Sequence, residues 1–353
     1  MKVGVLTFHA GPNYGGYYQA LCLCEAIASL GHDACIINYK NAHHFQKEKL
    51  RPSAYRRPLK LWHDFQKHRA FKQAIDLMPL SAPEVVTSTS GIRWNDYDAI
   101  VIGSDIVWNR SLATLGRDEV YFGRLGSEFS GRKIAYAPSI GPMPIDYDVP
   151  EWMSEALRDF HAIGVRDPNT AAFAARHLDD QPRLVADPTW LADPVAPVPS
   201  QAKRHEDRLL VYSFPLVREC SHWADKVKEF ARSKNLKIDV AGYYQSFSDR
   251  NLGSISPDEW QRLFGRYKYV VSGTFHGGLF SIREQAQFCI IPHKSINSKL
   301  KEALKATSLE SRLLTDPSQL LEQLEIPIDY SQVDKGRESY RQSSLAFLRD
   351  ALS

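Results

Sequence analysis

The chain has 353 residues, of which 43% are hydrophobic and 24% are charged, and its formal net charge at pH 7 is +3. This composition is ordinary for a globular protein and excludes a chain that is disordered throughout. The length fits two domains of roughly 150 residues each. The net charge is too small to indicate nucleic acid as a partner.

The N-terminal segment and the cysteines predict a cytoplasmic protein. One Lys precedes an apolar run of strand length, which is not the pattern of a secretory signal, and no apolar run approaches the roughly 18 residues of a membrane span. The cysteines form no CxxC pair and no disulfide framework, as expected in a reducing compartment; they are Cys22, Cys24, Cys35, Cys220 and Cys289. Cys22 and Cys24 lie in an apolar helical run and are expected to be buried.

The chain opens with a predicted strand at 2–8, a helix at 17–30 ended by Gly31, and a second strand at 34–39. A βαβ unit of this kind implies a parallel sheet with a right-handed crossover. The intervening loop at 9–16 contains Asn13, Tyr14, Gly15 and Gly16. It does not match GxGxxG and is by itself a weak signal for a ligand site.

Residues 40–72 are strongly basic, with ten Lys or Arg against only Glu48 and Asp64. Aromatic and apolar residues fall close to one face of a predicted helix; they are Leu61, Trp62, Phe65 and Phe71. One interpretation is a solvated insertion packed on the domain through these residues. The other is a dock for an anionic surface, such as a membrane that carries a lipid-linked substrate.

A strand–loop–helix rhythm continues to the C-terminus. Strands are predicted at 99–102, 133–136, 162–165, 184–186, 208–214, 237–241, 269–272 and 288–291. Helices are predicted at 152–160, 169–177, 220–234, 257–264, 279–284, 300–306, 317–324 and 340–352.

A proline-rich stretch without apolar periodicity interrupts this rhythm and predicts an extended linker. The expected organisation is a Rossmann-like domain at 1–192 with a basic helical insertion at about 40–80, a linker at 193–207, a second Rossmann-like domain at 208–330, and a C-terminal helix at 331–353 that packs back on the first domain. This α/β fold, with two parallel sheets facing across a cleft, places the strand-end loops at the ligand site.

His276 is the strongest candidate for proton transfer. It is predicted to lie between a buried strand and a helix, beside Gly277 and Gly278, where a helix N-terminus attracts an anion and glycines let a ligand approach the backbone. An imidazole there can move a proton near neutral pH. A structural role in holding the neighbouring loop is the alternative.

Three further polar residues end predicted strands. The Arg166 guanidinium can grip a carboxylate or phosphate with two hydrogen bonds, or pair with Asp167 or a helix end. Asp105, which follows Ser104, can act as a base, bind sugar hydroxyls, or cap a loop. HExxH, GxxxxGK[ST] and GxSxG are absent from the sequence, and the His43-His44 pair has no third ligand at metal spacing, so no metal is expected.

Short strings in a fixed order resemble the polysaccharide pyruvyl transferase family. They run from about residue 3 to 312: Thr7-Phe8-His9, Asn13-Tyr14-Gly15-Gly16, Gln19-Ala20, Gly103-Ser104-Asp105 with Val107-Trp108-Asn109, Tyr136-Ala137-Pro138-Ser139-Ile140-Gly141, Val165-Arg166-Asp167, Asp187-Pro188-Thr189, and Phe275-His276-Gly277 with Phe280-Ser281-Ile282. The family usually reads GSDQVWN where this chain has Ile106.

The resemblance implies a GT-B-like fold and transfer of pyruvate from phosphoenolpyruvate to two hydroxyls of a sugar, forming a ketal. Such enzymes act in the synthesis of capsules, exopolysaccharides and cell-wall polymers, on acceptors that are free or lipid-linked. Phosphoenolpyruvate is then a co-substrate, and no cofactor is expected. The expected location is cytoplasmic, with peripheral membrane contact through residues 40–72 as a further expectation.

The resemblance also assigns roles. The catalytic residues are expected to be His276 and Asp105; the donor site is expected to comprise Arg166, Gly277, Gly278, Thr274 and Ser104; and the acceptor contacts are expected to be Asn13, Tyr14, Gly15 and Ser139. Several family members have an Arg two residues before the histidine, where this chain has Thr274. The chain therefore lacks that charge or takes it from Arg283 or Lys299.

Two other functions share this fold. A glycosyltransferase that uses a nucleotide sugar would need a base and ribose site in the second domain, for which Glu284 is a candidate. A non-catalytic sugar-binding protein would keep the fold without turnover, and Thr274 is the feature that favours it.

Overall fold

The protein is described from a computed structural model, which covers residues 1–41, 58–113, 117–193, 204–214, 216, 221–292 and 297–353. The chain divides into two compact units. The first comprises Met1–Ser53, Gln73–Pro194 and Ser339–Ser353, and the second comprises Ala54–Lys72 and Val195–Glu338. The described residues 58–72, which the sequence pattern grouped with the first domain, fall in the second unit. Most of the proline-rich stretch, at 194–203, lies outside the described residues.

The first unit contains a six-stranded sheet in the order β2-β1-β3-β4-β5-β6, in which every pairing is parallel. Its strands are β1 Lys2–Leu6, β2 Asp33–Ile36, β3 Ala99–Ile102, β4 Arg132–Tyr136, β5 Ala162–Val165 and β6 Arg183–Leu184. Its helices include α1 Tyr14–Ser29, α3 Glu151–Arg158 and α4 Pro168–Ala174. The α/β class and the parallel sheet are confirmed.

The apolar runs of β1 and β3 are buried, as expected for strands covered on both faces. The bounds predicted for β3 and β5 match the structure, whereas α1 begins at Tyr14 instead of 17 because Asn13 accepts hydrogen bonds from the Gly15 and Gly16 amides and caps the helix. Gly31 has φ +91° and follows the last helical turn, which confirms it as the helix stop.

Aromatic side chains dominate the core of the first unit. Trp94, Trp108 and Phe122 are fully buried, and the Trp108 indole N–H donates to the Tyr121 carbonyl at 2.9 Å, which satisfies its one polar atom inside the core. The prediction that Cys22 and Cys24 are buried is confirmed, with exposures of 0% and 2%. Cys220 lies outside the described residues.

The second unit contains a five-stranded parallel sheet in the order β11-β10-β7-β8-β9. Its strands are β7 His205–Tyr212, β8 Lys237–Ala241, β9 Arg250–Leu252, β10 Tyr267–Ser272 and β11 Gln287–Ile290. Its helices are α5 Ser221–Ser233, α6 Pro257–Arg266, α7 Phe275–Arg283, α8 Asn297–Ala306 and α9 Gln319–Glu325. The strand β9 was not predicted, because its three residues are at the sheet edge and two of them are polar.

Two helices contain residues from both units. They are α2, at Pro58–Ile75, and α10, at Tyr330–Leu352, which begins within one residue of the C-terminal helix predicted at 331–353 and ten residues before the periodic stretch at 340–352. In α2, Phe71 is buried at 2% exposure, but Trp62 and Phe65 are 55% and 54% exposed. The expectation that its aromatic residues pack together on the domain is therefore wrong for Trp62 and Phe65. No helix in the described residues is long and apolar enough to cross a membrane.

Candidate active site

Most of the sequence-predicted site residues lie at the point in each sheet where the strand order reverses. In the first sheet this point lies between β1 and β3, and in the second between β7 and β10. Ligands of open parallel sheets bind at such reversals, outside the carboxyl ends of the strands. Ser104 and Asp105 follow β3, and the segment that contains Thr274 and His276 follows β10. Both segments therefore lie at the positions where open parallel sheets generally bind ligands.

A buried arginine is central to the first of these regions. Arg166 follows β5 and is 3% exposed. Its Nη1 donates to Asp187 Oδ2 at 2.8 Å and to Ser104 Oγ at 3.4 Å, while its Nη2 lies 3.7 Å from Asp105 Oδ1. One guanidinium thus links residues that follow three different strands, β3, β5 and β6. A cation buried this deeply requires paired charge, and Asp187 supplies it.

Asp187 is fixed by its second carboxylate oxygen. Oδ1 accepts from the Thr189 amide at 3.0 Å and from Thr189 Oγ1 at 2.8 Å, capping the 3-10 helix Pro188–Trp190. The carboxylate is therefore fixed in orientation before it contacts Arg166. The sequence analysis did not propose Asp187 as a site residue, although it lies close after a strand, as Asp105 does, and that position was the available signal.

Asp105 differs from Asp187 because its side chain is 18% exposed and can reach a ligand. It has φ +74°, a left-handed conformation uncommon for a residue with a Cβ and frequent at functional sites. Its amide donates to Ser104 Oγ at 2.6 Å, and Ser104 Oγ donates to Gln19 Oε1 at 2.9 Å. At Gly103, which has φ +117°, any Cβ would collide with the Tyr136 carbonyl, so only glycine lets the backbone pass this close to Tyr136.

Ser139 holds a loop in place. It is fully buried, and its Oγ donates to Asp167 Oδ2 at 2.7 Å and accepts from the Gly141 amide at 3.0 Å. Asp167 also accepts from the Thr170 amide at 2.9 Å, which caps α4. Asp167 thus binds the Ser139 loop and the start of α4, whereas Arg166 pairs with Asp187 and Asp105.

The first loop is also internally bonded. Asn13 Oδ1 accepts from the Gly15 and Gly16 amides at 3.1 and 3.3 Å, and Tyr14 is buried at 1% exposure. Of the proposed acceptor contacts in this loop, Asn13 is exposed and Tyr14 and Gly15 are buried. Thr7 Oγ1 donates to the Ser104 carbonyl at 3.2 Å and ties this loop to the segment that carries Asp105.

In the second unit, His276 lies within the first turn of α7 instead of before the helix. Thr274 is the N-cap, and its Oγ1 accepts from the Gly277 amide at 3.0 Å. The His276 ring is partly buried and packs edge-on against Phe275, with ring centroids 4.9 Å apart. The predicted start at residue 279 was wrong because two successive glycines resemble a loop, whereas the threonine cap and tertiary packing stabilise the turn.

The two glycines in this turn are required by packing. A Cβ on Gly277 would collide with Ser272 Oγ and would lie 2.7 Å from Tyr212 Cδ1. A Cβ on Gly278 would lie 2.9 Å from Leu300 Cδ2 and 3.0 Å from Ile290 Cδ1. Protein side chains therefore fill the space on the Cβ side of both residues.

The residues proposed to replace the missing family arginine, or to bind a ribose, lie deeper in this unit. Arg283 ends α7, roughly 12 Å along the helix axis from its start, and lies 3.8 Å from Glu284 Oε1. The Glu284 side chain is 0% exposed, so it cannot contact a ribose in this conformation. Lys299 is 8% exposed. The charge expected at the position of Thr274 is thus not supplied by Arg283.

Two parallel sheets with helices define an α/β protein of the kind built from two Rossmann-like domains. Solved structures of other proteins share this fold. A UDP-GlcNAc 2-epimerase from Methanocaldococcus jannaschii, in complex with UDP-GlcNAc and UDP, matches with 9% identity and a TM-score of 0.53, over 98% of this chain and 99% of its own. A Listeria monocytogenes protein assigned as a UDP-N-acetylglucosamine 2-epimerase matches with 8% identity and a TM-score of 0.51, over 99% of this chain and 94% of its own.

The sequence profile of the polysaccharide pyruvyl transferases matches residues 13–295, which is more than half of the chain. The chain belongs to the polysaccharide pyruvyl transferase family. The family resemblance drawn from the ordered motifs is confirmed. No curated protein sequence matches the chain significantly.

Proposed function

We propose that this protein transfers pyruvate from phosphoenolpyruvate to two hydroxyls of a sugar residue in a surface polysaccharide or its precursor. Family membership supports a transferase that acts on polysaccharide. The observation that carries the proposal is the array of Arg166, Asp105 and Asp187 beyond the carboxyl ends of the strands of the first sheet. It combines a fixed cation, suited to a carboxylate, with a partly exposed carboxylate, suited to a sugar hydroxyl.

The reaction forms two C–O bonds at C2 of phosphoenolpyruvate, the first by addition to the double bond and the second by displacement of phosphate. A proton is added to the methylene carbon while the first sugar hydroxyl attacks C2 and loses its own proton. The second hydroxyl then displaces phosphate at C2, and its proton leaves with the phosphate. The products are the cyclic ketal and inorganic phosphate. The enzyme must supply an acid at the methylene carbon, a base at the hydroxyl, and cationic support for the donor.

Arg166 is proposed to bind the donor carboxylate. Its Nη1 is held by Asp187 at 2.8 Å, whereas its Nη2 lies 3.7 Å from Asp105, which is longer than a hydrogen bond. Nη2 is buried in this conformation, so the donor carboxylate is proposed to reach it when the partly exposed Asp105 side chain moves aside, while Asp187 keeps the guanidinium oriented. Orientation by a second carboxylate lowers the entropic cost of this contact.

Asp105 is proposed to receive the proton of the attacking hydroxyl. Its carboxylate is partly exposed, and the left-handed backbone conformation and the hydrogen bond from its amide to Ser104 Oγ fix the backbone that carries it. Because Asp105 lies next to Arg166, its carboxylate and the donor would face the same space. His276 is proposed as the acid that protonates the methylene carbon, through the family resemblance of its motif.

Turnover tests this proposal. Purified protein is incubated with phosphoenolpyruvate and a panel of hexose methyl glycosides, while phosphate release and the ketal methyl signal are followed by proton NMR. We expect both signals together, and a loss of roughly 10²–10⁴-fold in rate with His276→Ala. His161→Ala, which alters an exposed histidine of the first unit, is the matched control. Phosphate release without a ketal signal would contradict the proposal.

The same proposal includes contact with an anionic membrane through α2. Trp62 and Phe65 are exposed one turn apart, and the exposed Arg69 and Lys72 continue the same helical stripe. Exposed aromatics followed by cations suit the interface of an anionic bilayer. In sedimentation with anionic vesicles at low salt, the wild type is expected in the vesicle pellet and the Trp62→Ala/Phe65→Ala variant in the supernatant. Equal sedimentation of both proteins would exclude this surface as the membrane contact.

A further inference from the structure

A cationic pocket lies at the amino edge of the second sheet. It has a volume of about 270 Å³. Its lining residues are His205, Arg250, Leu252, Ile255, Glu259, Leu263, Arg266 and Tyr267. His205 and Tyr267 are the first residues of β7 and β10 and are paired in register. Ser272, at the other end of β10, is roughly 17 Å away at about 3.3 Å per residue. The amino-edge pocket is therefore separate from the end of the sheet that carries His276.

Two guanidinium groups and an imidazole line this pocket. Arg266 is exposed at the end of α6, and it makes no hydrogen bond or ion pair with any described residue. Arg250 uses its Nη2 to contact Asp239 Oδ2 at 2.6 Å and the Tyr267 hydroxyl at 3.2 Å, and its side chain is still 51% exposed. The His205 ring packs on the Tyr267 ring, with centroids 5.1 Å apart. These groups approach the pocket from three different elements, β7, β9 and α6.

The nearby carboxylates already have other partners, because Asp239 is shared between Arg250 and Arg208 and Glu259 binds the start of α6. Asp239 is fully buried beneath the pocket and is already bound by Arg208 through two hydrogen bonds of 2.8 and 2.5 Å. Glu259 Oε2 accepts from the Ser256 amide at 2.9 Å and from Ser256 Oγ at 3.0 Å, in a capping box that begins α6. Two arginines against one glutamate leave the lining with a formal charge of +1 when His205 is neutral.

The position of Arg250 is set by a buried network. The Tyr267 hydroxyl donates to Asp239 Oδ2 at 2.5 Å. Arg208 on β7 and Arg250 on β9 bind the same carboxylate from the strands on either side of β8. Arg250 is thereby held at the pocket wall before any ligand binds. Ligand binding therefore costs less side-chain entropy than it would at an unattached arginine. The pocket has a fixed cation at its wall and a solvent-facing cation at its rim.

We propose that the amino-edge pocket binds a phosphate group, either free or at the end of a phosphomonoester. A tetrahedral oxyanion presents oxygens in several directions and suits donors that approach from three elements, and guanidinium groups bind phosphate with paired hydrogen bonds. The volume lies just below the roughly 300–1,000 Å³ typical of drug-sized ligands, as expected for a small ligand. The inference does not depend on the proposed pyruvyl transfer.

Calorimetric titration of the full chain with inorganic phosphate tests this proposal. Arg266→Gln removes the cation that has no partner among the described residues, and we expect it to weaken phosphate binding by about tenfold or more, equal to about 1.4 kcal/mol. Arg262→Gln is the matched control, because Arg262 is exposed on the same helix one turn earlier and does not line the pocket. His205→Gln is a second, independent variant at the rim and should weaken binding by several-fold.

Other outcomes are equally informative. Titration with glycerol 3-phosphate distinguishes the two sources of the phosphate group. If glycerol 3-phosphate binds more tightly than inorganic phosphate, and Arg266→Gln weakens that binding too, the ligand is a phosphomonoester. If it binds more weakly than inorganic phosphate, the ligand is free phosphate. The proposal is overturned if the wild type binds neither compound, or if Arg266→Gln and Arg262→Gln bind as the wild type does. It is also overturned if Arg166→Lys abolishes phosphate binding while Arg266→Gln leaves it intact, because the phosphate then binds at the candidate active site.

Discussion

Arg166 Nη1 and Asp187 Oδ2 lie 2.8 Å apart, and the two side chains are 2% and 3% exposed. The residues follow neighbouring strands of the first sheet, β5 and β6, and are 21 positions apart in sequence. Neither charge is stable at this depth without the other. The pair is therefore both a structural element and the support that orients the guanidinium toward Asp105.

Removal of Arg166 is expected to destabilise the first unit strongly. Arg166→Ala leaves the Asp187 carboxylate buried without its cation, which typically costs about 3–5 kcal/mol. Urea unfolding followed by circular dichroism measures this loss. Arg93→Ala is the control, because Arg93 pairs with Asp96 at 86% side-chain exposure and its loss should leave the unfolding free energy unchanged. Equal stability of the two variants would show that the Arg166 pair is not required for the fold.

Substitution of Asp105 is expected to separate donor binding from turnover. Asp105→Asn removes a negative charge near Arg166 Nη2, so phosphoenolpyruvate should bind at least as tightly as to the wild type. The rate of phosphate release with acceptor should fall by roughly 10²–10⁴-fold, because the base is lost. Calorimetry and a phosphate assay measure the two effects. Asp146→Asn, at an exposed position, is the control. Unchanged turnover in Asp105→Asn would exclude Asp105 as the base.

Substitution of Gly277 tests whether packing requires this glycine. Helix propensity alone predicts that Gly277→Ala stabilises the protein by about 1 kcal/mol. The collision with Ser272 Oγ and the 2.7 Å approach to Tyr212 Cδ1 predict the opposite sign, a loss of about 1–3 kcal/mol. The midpoint and slope of denaturant unfolding give the free energy of unfolding of Gly277→Ala and show whether it is higher or lower than that of the wild type. A more stable Gly277→Ala variant would mean that the space beside this residue is open.

Acid is expected to weaken the second unit through Asp239. Burial raises the pKa of this carboxyl, but hydrogen bonds from Arg208, Tyr267 and Arg250 outweigh it, so the pKa lies below the ordinary value of 3.8. A lowered folded-state pKa contributes stability that is fully present above the unfolded value and is lost as the pH falls through the folded value. Unfolding measured from pH 6 downward should therefore show a loss that begins near pH 4.

Asp239→Asn should be less stable than the wild type at pH 6, and the difference should shrink below pH 4 as Asp239 becomes protonated in the wild type. Asp207→Asn, an exposed neighbour on β7, should retain the wild-type pH dependence. A constant difference between Asp239→Asn and the wild type across this range would contradict the assigned direction.

The apolar pattern was sufficient to predict most of the fold. The strands β3, β5 and β8 have the predicted bounds, because short buried apolar runs between loops have few other stable arrangements in an α/β protein. The edge strand β9 was missed, because Arg250 and Asn251 carry polar side chains and the strand is stabilised by pairing with β8. Tertiary context outweighed the local pattern there.

The candidate site was predictable in part. The positions of Ser104, Asp105 and Arg166 after parallel strands were enough to place them at one edge of the sheet. The pairing of Arg166 with Asp187 was not predictable, because it depends on side-chain direction and on the Thr189 cap that fixes the carboxylate. Likewise, the role of Thr274 as an N-cap was hidden by the glycines that follow it.

The central claim is that the donor is phosphoenolpyruvate and that Arg166 binds it. Calorimetric titration of the full chain with phosphoenolpyruvate, beside UDP and GDP, tests it most directly. We predict saturable phosphoenolpyruvate binding that Arg166→Lys, which keeps the charge but loses the paired N–H groups, weakens by about tenfold or more, while Arg93→Lys has no effect. Binding of UDP or GDP without binding of phosphoenolpyruvate would contradict the claim and favour a nucleotide-sugar glycosyltransferase.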